Sequence, residues 1–158
     1  MRLFAVLLAV VTLASAPGRA AAQRSKAVLA AGQAVFDAMG KRDTAELRRL
    51  LHPAVHLIAT SERDGKPESR VSTLQDFLGQ IGLSSAVPLE RMWDAEVRVS
   101  GGIATVWTQY DFHRDGQFSH CGIDSFQFVQ GADGWAVTSI IYTVVRDHCP
   151  KNPIGPPR

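Results

Sequence analysis

The chain has 158 residues and a formal charge of +2, from 17 lysines and arginines against 15 acids. No Lys/Arg cluster stands out, so the electrostatic footprint that nucleic-acid or anionic-membrane binding requires is missing. The length suits one domain with its own hydrophobic core and leaves no room for a second.

The first segment reads as a secretory signal peptide, with Arg2, an apolar run from Phe4 to Leu13, and Ala20, Ala21 and Ala22 as the small residues before cleavage. The run is shorter than the roughly 20 residues that span a bilayer, and no cysteine marks a lipoprotein site. An uncleaved N-terminal anchor is the alternative. Cleavage after Ala22 removes Arg2 and Arg19 and no acid, leaving a neutral chain of about 136 residues. The expected organisation is a leader over 1–22, one domain over 23–148, and a Pro-rich tail over 149–158.

From Ser25 to Gly40, Val28, Ala31, Val35, Phe36 and Met39 recur at helical spacing, and Gly40 suits the position just past a helix end. Asp43 and Glu46 resemble a capping box for a short second helix carrying Leu47, Leu50 and Leu51, which Pro53 ends. Val55 to Thr60 is a strand candidate, and the Asp64-Gly65 turn leads to a second extended piece ending near Val71. Ser72 and Gln75 form another predicted cap, opening a third helix over about 73–81 with Leu74, Phe77, Leu78 and Ile81 inward. Beyond Leu89 the pattern turns to β, punctuated at Gly101-Gly102, Asp115-Gly116 and Gly131 to Gly134. Strands are expected near 90–100, 103–114, 117–130 and 135–146, forming an antiparallel meander long enough to coil strongly. Pro150, Pro153, Pro156 and Pro157 stop regular structure in the tail.

This order, together with the run Asp43 to Pro53 and the strand opening Gly134-Trp135-Ala136-Val137, resembles the nuclear-transport-factor-2-like superfamily. The resemblance covers nearly the whole chain after the leader and implies an α+β cone, three helices packed on a strongly curved antiparallel sheet. It implies no single activity, because the superfamily includes ketosteroid isomerases, polyketide cyclases, transport factors and members without known activity.

With Asp115-Gly116 as a two-residue loop, an unbroken hairpin pairs Asp111 with His120, Gln109 with Gly122, Trp107 with Asp124 and Thr105 with Phe126. One face then carries Asp111, His120 and Asp124 among Trp107, Phe126 and Phe128, with Thr105 and Gln109 beside them. Apolar surroundings raise a carboxyl pKa. Asp124 is therefore a candidate general base, and Asp111 with His120 a candidate acid/base couple, as the proton-transfer groups of the isomerase and cyclase relatives imply. The plainer readings are an exposed Asp111–His120 pair near the turn, and an Asp124 that accepts hydrogen bonds from Trp107 or a backbone amide. A bulge in either strand would exchange the faces beyond it.

The opposite face, with Val97, Val99, Val106, Tyr110, Phe112 and Ile123, is also apolar, and three helices can cover only one side. A homodimer is therefore expected. Metal binding has little support, since His120-Cys121 and His148-Cys149 are adjacent pairs whose side chains diverge on strands. Cys121 and Cys149 can bridge only if the tail bends back near His148 and Pro150; free thiols are the alternative.

The expected function is an exported cone domain whose cavity, lined by Trp107, Phe126, Phe128, Thr105 and Gln109, holds a small, largely apolar ligand without a cofactor. The alternatives are an isomerase- or cyclase-like enzyme using Asp124 or His120, and a protein-interaction module with a filled cone.

Overall fold

The structure, a computed structural model, describes residues 17–157. The apolar core of the expected leader lies outside them. Helix α1 runs from Pro17 to Lys41, α2 from Thr44 to Leu50 and α3 from Leu74 to Leu83. Strands β1 (Leu51–Arg63) and β2 (Lys66–Thr73) precede α3, and β3 (Pro88–Ser100), β4 (Ile103–Arg114), β5 (Gln117–Gly131) and β6 (Gly134–Thr143) follow it.

Helix α1 starts earlier than its apolar periodicity, but residues 18–24 are all exposed. Loss of residues 18–22 would thus remove no buried side chain. Its buried face consists of Val28, Val35, Phe36, Ala38 and Met39. Asp43 caps α2 by accepting from the Glu46 amide at 2.9 Å. The cap of α3 sits one residue later than expected: Thr73 and Asp76 form the capping box, not Ser72 and Gln75. Ser72 instead remains in the ladder opposite Leu57.

The six strands lie in the order β2-β1-β6-β5-β4-β3. All neighbours are antiparallel except β1 and β6, which run parallel, so the sheet is mixed rather than wholly antiparallel. Four two-residue turns join the hairpins, and both central residues have positive φ at Asp64-Gly65 and Asp115-Gly116. That geometry matches the right-handed strand twist and favours Asp-Gly. The helices fill the concave side, where Phe36 packs edge-on against Phe126 at 5.7 Å and Phe126 stacks on Phe128 at 5.7 Å.

The β4–β5 register departs from the expected one in a way that relocates the site. Arg114 pairs with Gln117 and His113 with Phe118, as a two-residue loop dictates, but Phe112 then pairs with His120. Ser119 is the extra residue of a β-bulge. Because side chains alternate with period two, one inserted residue exchanges every later pairing by one place. Asp111 therefore faces Cys121, Trp107 faces Ser125, Gln109 faces Ile123, Thr105 faces Gln127 and Thr108 faces Asp124.

Strand β6 ends at Thr143, three residues short of the expected limit. Cys121 still pairs with Val145 through two 2.9 Å hydrogen bonds. The chain then turns at His148, whose φ is +55°, and Cys149 forms a disulfide with Cys121 across a Cα separation of 6.0 Å. The tail is further clamped on the convex face: Asn152 Nδ2 donates to Asp111 Oδ2 at 2.9 Å, and Arg91 donates to the Gly155 carbonyl at 2.7 Å.

Candidate functional site

Between the concave sheet and helices α1 and α3 lies a cavity of about 490 Å³. Its apolar wall includes Phe36, Leu57, Phe77, Ile81, Phe112 and Ile140. Alternation places these side chains inward on β1, β4 and β6, and helical spacing does so on α1 and α3. The volume falls within the range of small-molecule sites.

The polar groups of the cavity come from neighbouring strands. Glu90 of β3, Tyr110 of β4, His120 and Asp124 of β5, and Tyr142 of β6 all reach the lining. Asp124 is 1% exposed. Burial pushes its carboxyl up to about 8, although a hydrogen bond from Glu90 acts the other way. Glu90 is raised well above the usual carboxylate range, first by burial and then by the charge and hydrogen bond of Asp124. It keeps partial solvent contact because it faces the cavity, while protein packs around it. Two carboxyls so placed cannot both ionise readily, and the pair retains a proton through the neutral range. Apart from that shared proton, Asp124 Oδ2 is buried without a hydrogen-bond partner.

The two tyrosines differ in their hydrogen bonding. Tyr110 donates its hydroxyl to the Thr143 carbonyl at 2.8 Å, and burial, then Glu90 and Asp124, raise its pKa. Tyr142 is likewise raised, mainly by burial, while a hydrogen bond with Arg70 opposes the shift. Gly122 makes the Tyr110 contact geometrically feasible, since a side chain there would place its first carbon 2.0 Å from the Thr143 carbonyl oxygen.

His120 is half-buried, stacked on Phe112 at 4.9 Å and edge-on to Tyr110 at 5.7 Å. Burial, assisted by Arg146 and Arg114, lowers it to about 4. The imidazole is therefore neutral at physiological pH and serves as a hydrogen-bonding group or proton acceptor, not as a resident cation.

The remaining residues expected at the site are elsewhere. Trp107, 55% exposed, and Thr105 and Gln109 belong to the convex face, because the Ser119 bulge reverses the assumed alternation. Phe126 and Phe128 face inward but are fully packed in the core and do not line the cavity. Asp111 is on the convex face in a bidentate pair with Arg91, beneath the tail and 3.7 Å from His113. It does not pair with His120. Conversely, Tyr110 and Phe112, assigned to the outer face, line the cavity. The sequence reading missed Glu90, Tyr142, Arg70, Arg114 and Arg146; the only signal for Glu90 was an acid that alternation places on the same strand face as Pro88 and Met92. Among the described residues no cluster of three potential metal ligands occurs, and no helix is long and apolar enough to cross a membrane.

No protein-family model and no curated protein matches the sequence. Solved structures do. A dehydratase candidate of the NTF2-like family from Streptomyces avermitilis aligns with a TM-score of 0.60 and 19% identity over 79% of this chain and 98% of its own. An NTF2-like protein from Cytophaga hutchinsonii aligns with a TM-score of 0.64 and 13% identity, over 76% and 97% of the two chains. A nuclear transport factor 2 (NTF2-like) superfamily protein from Salmonella enterica gives 0.63 and 12%, over 82% and 96%.

Proposed function

Proceeding from a chain with the nuclear-transport-factor-2-like fold, we propose that it is an exported enzyme that binds a small molecule in its cavity and moves a proton on it without a cofactor. The observation that carries this reading is the Glu90–Asp124 carboxyl pair, held within the protein but lining the cavity. Paired carboxyls with raised pKa values in a cavity are suited to general acid–base work. The ionised form of Asp124 accepts a proton from carbon, and Tyr142 donates a hydrogen bond to the oxyanion that develops beside it. Isomerisation, cyclisation and elimination of water all use such a step. The likeness to a dehydratase candidate is a reason to include β-hydroxy compounds among the substrates tried.

Export is supported by the leader-like sequence of residues 1–22 and by the Cys121–Cys149 disulfide, which an oxidising compartment permits. A homodimer is supported by a row of exposed apolar side chains on the convex face, where Trp107 lies opposite Ser125 and Ser125 opposite Ile141, with Ile103 near the same edge of β4. These residues replace Val106, Tyr110 and Phe112 in the argument for a second copy.

The test is hydron exchange in deuterium oxide, followed by NMR, over a panel of β-hydroxy and β-keto acids and their methyl esters. Wild-type protein should catalyse exchange at the activated carbon of at least one compound, with a rate that rises with pH and levels off above about 8 as Asp124 ionises. Asp124→Asn should remove the exchange while retaining the native melting transition. Binding of panel members without exchange at any pH would refute the catalytic reading and leave a ligand-binding domain.

A further inference from the structure

Resting on that reading of the cavity, we infer that its occupant is an organic anion, with a carboxylate or phosphate held at the arginine-bearing part of the cavity and an apolar body against the inner wall. Three arginines from separate elements line the cavity: Arg70 of β2, Arg114 at the end of β4, and Arg146 just after β6. All three are exposed, and none is in an ion pair among the described residues, whereas Arg49, Arg63 and Arg91 each have a carboxylate partner. Arg114, Arg146 and His120 share that lining. Arg114 also lies over the Phe112 ring at 5.8 Å from its centroid, which orders the guanidinium while leaving its N–H edge free.

The acids of the lining are Glu90 and Asp124, and that pair holds a proton through neutrality. The cavity therefore presents three guanidinium charges against at most one carboxylate. A neutral apolar ligand would leave those charges unanswered, while a carboxylate or phosphate matches the planar fork of arginine. Glu90, half-buried and lining the cavity, gives the other end of the molecule a polar contact. The ligand class thus differs from the largely apolar one expected from sequence.

Binding of decanoate, decyl phosphate and decan-1-ol to the whole chain, measured by calorimetry at low ionic strength, tests the inference. At least one of the anions should bind roughly tenfold more tightly than the alcohol. That advantage should shrink with added salt and disappear in the Arg114→Gln/Arg146→Gln double variant, which keeps its affinity for the alcohol. Because both side chains are exposed and without ion-pair partners, the double variant should melt like wild type; should it not, Arg146→Gln alone is the informative variant. Equal affinity for anion and alcohol would overturn the anion inference and leave the proton-transfer reading standing. Failure of all three to bind would also overturn it, with hydron exchange still deciding separately whether the carboxyl pair is catalytic. Loss of exchange activity with retained anion preference would refute the chemistry alone.

Discussion

At the scale of single residues, the buried carboxyl pair makes a sign prediction. An unfolded Asp titrates near 3.9, and Asp124 in the folded protein titrates at about 8. Between those values the native state binds more protons than the unfolded one, so stability falls as pH rises through the window. Glu90, also raised, adds a slope of the same sign. His120 acts oppositely: with a folded value of about 4 against about 6.5 unfolded, it loses stability as pH falls below 6.5. The carboxyl effect is therefore cleanest between about 6.5 and 8. Urea midpoints across that interval should decrease for wild type and stay nearly flat for a Glu90→Gln/Asp124→Asn variant; a flat wild-type profile would mean the pair is not held as described. The candidate role of Asp124 was legible because an acid among phenylalanines is costly to bury. Glu90 was not, because its relation to Asp124 spans β4 and depends on how the sheet coils.

At the scale of elements, one residue on β5 controls where β6 can run. Gly122→Ala would bring a methyl carbon 2.0 Å from the Thr143 carbonyl oxygen. Backbone would have to move, and the expected cost is about 2–4 kcal/mol in chemical denaturation. Tyr110→Phe, which removes only the hydroxyl bound to the same carbonyl, should cost about 1 kcal/mol. Equal costs for the two variants would show that the close approach is not what requires glycine. Removing the α3 cap by Thr73→Ala should cost about 1 kcal/mol. The helices and turns were readable because caps, Asp-Gly pairs and apolar periodicity are local. The Ser119 bulge was not: an Ser-His-Cys run carries no local instruction to insert a residue, and its displacement of Trp107, Thr105 and Gln109 to the convex face follows from pairing alone.

At the scale of the whole molecule, the tail and the convex face are the testable features. The Cys121–Cys149 bridge closes a segment of 28 residues, for which chain entropy gives about 3–4 kcal/mol of stabilisation. Reduction should lower the melting temperature and expose the tail beyond Cys149 to protease. Unchanged melting would show that Arg91, Asp111 and Asn152 suffice to hold it. If the row of Trp107 and Ile141 meets a second copy, Trp107→Glu should convert a dimer to a monomer in light scattering. A wild-type monomer would refute that assembly.

Residue order alone settled what depends on near neighbours: the three helices, the hairpin turns and the α+β order, because helical periodicity, capping and two-residue loops act within a few residues. The tertiary structure decided which face each strand presents, that β1 joins β6 in parallel, that Asp111 clamps the tail, and that Glu90 and Asp124 share a cavity lining with Arg70, Arg114 and Arg146. Those outcomes depend on strand register and sheet curvature, which arise from contacts between residues far apart in the chain. A one-residue bulge is enough to turn a side chain from the cavity to the outer surface.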